Sequence, residues 1–269
     1  MARHLLIAAF LGSFVAGGAL ASEAVTNPLT ESATWEDLRS DVVGDAELLP
    51  ADGVLTFDAP YRAHDAATVP VIIRQPEGAP RISAATVVID ENPAPVAAEF
   101  TFGEGMGPLD FELRVRVDQY SNVRVIAETA DRLHMTGRFV KASGGCAAPA
   151  TKNPEVALAQ LGKMKLRSFG EQQVSTPRRE AQIMIRHPNY SGLQRDQITQ
   201  LFIPAHFIDH LEVWQGDEML FAMDGGISIS ENPVFRFFYD DNGATELTVK
   251  ATDTEGNSFE EVLPKVAGS

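Results

Sequence analysis

Phe111-Glu112-Leu113-Arg114-Val115-Arg116-Val117 alternates apolar and charged residues without a break. A period of two puts the apolar side chains on one face of an extended strand and the charges on the other. Working outward, residues 68–74, 84–89, 97–102, 123–128 and 133–140 read the same way, each bounded by Pro, Gly, Asn or Asp. About seven short strands at such intervals predict an immunoglobulin-like β-sandwich that ends near Val140. A second β-rich half begins at residues 180–186 and continues through 198–203, 210–214, 218–223, 234–239, 245–252 and 258–262. Gln215-Gly216-Asp217, Asp241-Asn242-Gly243 and Glu255-Gly256-Asn257 supply hairpin turns between those runs. The expected class is all-β, with two immunoglobulin-like sandwiches and one short helix near the N-terminus.

That helix is expected from Thr34, with Trp35, Leu38 and Val42 on one face and Gly44 as its stop. Trp35 is read as the anchor of the helix on the first sandwich. Residues 142–151 have no periodicity and are rich in Ala, Gly, Ser and Pro, which is linker composition. A further helix start is offered by Asn153-Pro154-Glu155, with Leu158, Leu161 and Met164 on one side. Residues 170–179 read as a connector.

The first residues carry Arg3, an apolar run over residues 5–15 and the small-residue ending Ala19-Leu20-Ala21. This order is that of a secretory signal cut after Ala21. Its apolar core is too short and too interrupted by glycine to span a bilayer, so no membrane span is expected after cleavage. The expected organisation is a signal at 1–21, a first sandwich at 22–141, an arm and linker at 142–179 and a second sandwich at 180–269. Export implies a periplasmic location. The formal net charge of −15 argues against nucleic acid or an anionic membrane as partner and suits a basic protein face.

Most candidate sites have a bland explanation. Gly103-Glu104-Gly105-Met106-Gly107-Pro108 lies among acidic residues with no following helix, so it reads as a turn and not a phosphate loop. His206 and His210 are four apart, but Pro204 argues against a helix; on a strand they would stand about 13 Å apart, too far for one metal. No metal site is expected. Asp240-Asp241-Asn242-Gly243 is explained by a hairpin, and no Gly-x-Ser-x-Gly elbow occurs.

The single cysteine, Cys146, is different. Exported chains normally pair their cysteines, and this one stands alone in Ser143-Gly144-Gly145-Cys146-Ala147-Ala148-Pro149. Its neighbours offer no large apolar side chains, and Gly144 and Gly145 remove steric shielding and confer flexibility. An exposed, functional thiol on a mobile arm is expected, reaching up to roughly 20 Å from the sandwich edge. Nothing nearby is an evident general base, and Lys141 and Lys152 would favour the thiolate only modestly. The asymmetry suggests a carrier that presents its thiol to other enzymes.

With those residues in view, the chain resembles a known family. The first half followed by Gly144-Gly145-Cys146 is similar to SoxY, the sulfur-carrying subunit of bacterial thiosulfate oxidation. The second half is similar to SoxZ through Ile185-Arg186-His187-Pro188-Asn189, Phe202-Ile203-Pro204-Ala205-His206-Phe207-Ile208 and Asn232-Pro233-Val234-Phe235-Arg236-Phe237. Together they look like the fused SoxYZ-like carriers associated with quinoprotein dehydrogenases. The resemblance implies a non-enzymatic carrier with Cys146 as the covalent attachment point and no cofactor of its own. It implies partners among periplasmic c-type cytochromes or sulfur-handling enzymes, and a quinoprotein dehydrogenase is a further candidate. The chain departs from the family where Ala147 and Ala148 replace two glycines, and where the arm continues into a second half instead of ending free. An assembly module for a periplasmic dehydrogenase is the alternative function, with copper delivery through Cys146 ranked behind it.

Overall fold

The computed structural model describes residues 26–130, 132–149, 154–169 and 176–265; the expected signal segment lies outside them. In chain order the elements are α1 (Ala33–Val43), β1 (Leu48–Pro50), β2 (Thr56–Asp58), β3 (Val69–Arg74), β4 (Ile82–Ile89), β5 (Val96–Phe102), a 3-10 turn (Glu104–Met106), β6 (Asp110–Val115), β7 (Ser121–Thr129) and β8 (Arg132–Val140). They continue with α2 (Pro154–Ala159), β9 (Met164–Phe169), β10 (Arg178–Ile185), β11 (Ile208–Gln215), β12 (Glu218–Gly225), β13 (Val234–Asp240), β14 (Glu246–Asp253) and β15 (Ser258–Pro264). The all-β, immunoglobulin-like expectation holds, with a short helix near the N-terminus.

Two sheets run through both halves of the chain. One has the order β1-β8-β7-β4-β5-β12-β11-β14-β15 and the other β2-β3-β6-β13-β10-β9. The halves join edge to edge where β5 pairs antiparallel with β12 (Phe102 opposite Phe221) and β6 with β13 (Phe111 opposite Phe237). Each junction satisfies strand edges that would otherwise expose unpaired backbone. A single buried apolar cluster spans both halves, from Ala51 to Leu263. Two sandwiches imply two separate cores; the continuous sheets merge them into one. Phe111 sits at the centre of the seam, with ring centroids 5.1 Å from both Phe100 and Phe221 in edge-to-face contact.

Several local expectations change. Ser32, not Thr34, caps α1: its hydroxyl accepts from the Trp35 amide at 3.1 Å. Trp35 does anchor the helix, buried against Val88 and Ile126 with the Arg124 guanidinium 4.5 Å from its ring centroid. Arg124 is itself fixed by a buried two-point pair with Asp90. Met164 does not extend a helix but opens β9, whose Met164-Lys165-Leu166-Arg167 alternation fits a strand. Residues 198–203 are not a strand: Asp196 Oδ1 accepts from the Ile198 and Thr199 amides at 3.1 and 2.7 Å, which closes a turn. Ile198, Leu201 and Phe202 are left exposed.

Candidate functional site: a docked cysteine arm

The arm leaves β8 at Val140 and folds back on the molecule. Lys141 N–H donates to Tyr61 O at 2.8 Å, and Gly144 N–H to Asp118 O at 2.7 Å. Gly145 N–H donates to Val117 O at 3.1 Å, beside the bond from Val117 N–H to Ala66 O at 2.8 Å. Cys146 N–H donates to Asp118 Oδ1 at 3.1 Å. Asp118 is steadied in turn by Asn92, whose Oδ1 accepts from its amide and whose Nδ2 donates to Arg116 O and Ser228 Oγ. From the other half, Ser191 Oγ–H donates to Cys146 O, and Gln194 Nε2–H donates to Ala148 O at 3.0 Å. Both halves of the chain therefore hold the arm.

The two glycines serve the docked path for different reasons, close approach at Gly145 and a left-handed φ at Gly144. A Cβ on Gly145 would lie 2.7 Å from Val117 O and nearer still to Ala66 O, so only glycine lets the arm reach this backbone. Gly144 has φ of +76°, a conformation that penalises side-chain-bearing residues. The expected exposed thiol is corrected: Cys146 is 0 % exposed. Its small neighbours do not bury it; segments around Ala66, Val117 and Ser191 do. Ala147, the next residue, is exposed, so the thiol lies just beneath the surface.

Burial, and then the Asp118 carboxylate, push the Cys146 thiol up to about 11, while the Arg116 guanidinium acts in the opposite direction. The docked sulfur is thus a thiol at neutral pH and a poor nucleophile. The effect expected of Lys141 is not seen. Its ammonium sits 4.7 Å from the Tyr61 ring centroid, and Lys152 lies outside the described residues. The cation that the sulfur senses is Arg116, which the strict alternation of the 111–117 stretch had placed on an outward, charged face. Arg116 is 1 % exposed. It lies just past β6, where the arm and residues 227–230 cover what would be the open face; Nη1–H donates to Ile227 O at 3.1 Å and Ile229 O at 2.6 Å.

A second buried polar cluster adjoins the segment that clamps the arm. His187 Nε2 and His206 Nε2 both lie against Asp253 Oδ2, at 3.3 and 2.8 Å, with the two rings 4.7 Å apart. One ligand atom from each of the three residues falls within 4.8 Å of the others, a donor set that a zinc or copper ion would accept. The same atoms have a structural use. Asn189 N–H donates to His187 Nδ1 at 3.0 Å, which leaves the proton on Nε2 for Asp253. The trio ties the 187–206 segment to the β14–β15 hairpin. His210, whose four-residue spacing from His206 was rejected as a metal pair, stays outside the trio and pairs with Asp224 at 2.7 Å. A partner 19 residues away in sequence could not be found from spacing.

Comparisons with known proteins bear on this arrangement. The model of the sulfur oxidation protein SoxY matches residues 39–146, and that of the sulphur oxidation protein SoxZ matches residues 170–264. The chain is a tandem SoxY–SoxZ protein. The SoxY match ends on Cys146 itself. The structure is similar to the sulfur carrier protein SoxY from Chlorobium limicola f thiosulfatophilum, with TM-score 0.34 and 23% identity over 40% of this chain and 96% of that one. It is also similar to a beta-glycosidase from Bacteroides vulgatus, with TM-score 0.24 and 9% identity over 78% of this chain and 24% of that one. No match is found among curated proteins. The SoxY and SoxZ domains in tandem support a sulfur-carrier role in sulfur oxidation and a non-catalytic one. In these terms the arm belongs to the SoxY half, and Ser191 and Gln194, which clamp it, to the SoxZ half. Neither clamp residue, nor Asp118 or Arg116, carried a sequence signal of its role.

Proposed function

We propose that this protein is a periplasmic carrier that holds a sulfur-containing group covalently on Cys146 and presents it to partner oxidoreductases and hydrolases. The observation that carries the reading is the placement of the only cysteine, at the end of the SoxY match, on an arm that both halves clamp through reversible hydrogen bonds. A docked thiol held up to about 11 is unreactive, so loading requires the arm to lift and re-enter water, where the thiol regains its ordinary acidity near 9. Docking then protects the sulfur between encounters.

For thiosulfate the loading step balances as follows. The thiol and thiosulfate join through a new S–S bond, one proton goes to water, and two electrons pass to an acceptor such as a c-type cytochrome partner. The product is a Cys146 disulfide ending in a sulfonate. Unloading by hydrolysis releases sulfate and leaves a persulfide on the carrier.

The competing reading is an assembly module for a periplasmic quinoprotein dehydrogenase, and it is favoured by an arm pinned at both ends. Cys146→Ser separates the two. The carrier reading expects the variant to keep its fold and partner binding but to lose thiosulfate-dependent electron transfer with the native partner enzymes. A variant that supports the full rate would overturn it in favour of the module.

A further inference from the structure

Arg116 is the buried group that the arm's hydrogen bonding leaves incompletely used. Its Nη1–H bonds are made to Ile227 O and Ile229 O, but its Nε is buried without a hydrogen-bond partner. Leaving a guanidinium N–H unpaired in the interior is unfavourable, and a surface charge at this register would avoid that cost. Arg116 also lines a cavity of about 420 Å³ with Gln194, Asn232 and, from the arm, Ala148 and Pro149. Charge coupling to the Cys146 sulfur is felt by both groups. The cavity carries Asp65 and Glu231 as well, the latter coupled to Arg116, and Asp118 sits against the cysteine amide, so among the described lining residues Arg116 is the cation in an otherwise acidic setting.

We propose that Arg116 and the adjoining cavity form an anion subsite that receives the sulfonate end of the group carried on Cys146, with Arg116 Nε–H as a donor to a sulfonate oxygen. The inference rests on the carrier reading. A docked, loaded arm would place a new S–S bond beside the buried cysteine and project the sulfonate toward the cavity behind Ala148 and Pro149. There it would satisfy the unpaired donor and the desolvated charge together. The ligand class is a small tetrahedral sulfur oxyanion tethered through sulfur. Arg116 is a positioning residue, since it holds the cargo and takes no part in bond making.

The test loads the chain chemically, without any partner enzyme. Tetrathionate reacts with the Cys146 thiolate: the sulfur attacks one inner sulfur, the central S–S bond breaks, thiosulfate leaves, and Cys146 ends as the sulfonate-terminated disulfide. Methyl methanethiosulfonate gives the neutral control, a methyl disulfide, with methanesulfinate as leaving group. Both adducts are made on the unfolded chain, which is then refolded, and melting temperatures are compared for wild type, Arg116→Gln and Arg116→Lys. Arg114→Gln, an exposed position on β6 two residues before Arg116, controls for net charge.

In wild type and Arg114→Gln the anionic adduct should melt about 5 °C above the neutral one, as a charge-assisted hydrogen bond in a chain of this size predicts. Arg116→Gln should abolish that difference and Arg116→Lys should keep part of it. Comparing two adducts within each variant cancels any loss of stability from the substitution itself. The same difference in Arg116→Gln as in wild type would overturn the subsite. So would a wild-type chain that refolds with the methyl adduct but not with the anionic one. Because no native partner is used, either result leaves the carrier reading to be decided by the Cys146→Ser experiment.

Discussion

Gly145→Ala should unlock the arm. The new Cβ would stand 2.7 Å from Val117 O and closer to Ala66 O, against a contact distance for carbon of about 3.5 Å. Neither oxygen can yield, because Ala66 O accepts from Val117 N–H at 2.8 Å and both lie in backbone that frames the core. Overpacking of this kind costs about 1–3 kcal/mol. That cost falls on the docked state alone, since the lifted arm has no neighbour to meet. At 1.4 kcal/mol per decade the undocked population rises roughly 5- to 150-fold. The five hydrogen bonds that hold residues 144–148 are worth about 0.5–1.5 kcal/mol each, so docking still wins on average and the variant should fold normally. The assay is the rate of Cys146 alkylation by excess iodoacetamide at neutral pH, followed by intact mass. With alkylation slow beside re-docking, the rate follows the undocked population and should increase by about fivefold or more. A rate within about twofold of wild type would refute the claim that glycine is required for docking and that docking shields the thiol.

Other consequences can be checked separately. The folded Cys146 thiol titrates at about 11 instead of near 9, so the folded state holds its proton longer than the unfolded chain. Stability is complete below the unfolded value and falls as pH rises between the two, by up to about 2–3 kcal/mol. Tyr239, raised to about 12 by burial, acts in the same direction, so the comparison is urea denaturation of wild type against Cys146→Ser. The excess slope over that window should vanish in the variant. At the acid end, burial raises the Asp253 carboxyl, but hydrogen bonds from Asn257, His206 and His187 outweigh it and bring it to about 2. Its stabilisation is present above about 4 and lost as pH falls toward 2, worth about 2 kcal/mol. Asp253→Asn should therefore lower stability at pH 7 while flattening the acid limb. At the seam, Phe111→Ala should cost about 3–5 kcal/mol and should do so in one cooperative transition, since the core is shared. Two separate transitions would contradict a single core.

Much of the fold was legible because a half-buried strand prints its period on the sequence, and Phe111–Val117 does so plainly. The seam was not. Edge-to-edge pairing between Phe102 and Phe221 links residues more than a hundred positions apart, and no local pattern encodes it. Residues 198–203 were misread because apolar residues usually mark a strand, whereas here Asp196 closes a turn and leaves Ile198 and Phe202 in solvent. The site was legible in its centre only. Solitude and glycine neighbours pointed to Cys146, yet small neighbours also suggested exposure, because burial supplied by distant segments is invisible from the residues alongside. Arg116 shows the same limit. Alternation fixes which face a residue occupies, and only the tertiary fold decides whether that face is covered.

Mass spectrometry of the Cys146 peptide, from protein purified from its native host grown on thiosulfate, tests the carrier account most directly. The account expects Cys146 to carry a labile sulfur-containing adduct, a sulfonate-terminated disulfide or a persulfide, that reduction removes. Finding Cys146 only as the unmodified thiol, with the partner enzymes present and active, would contradict it.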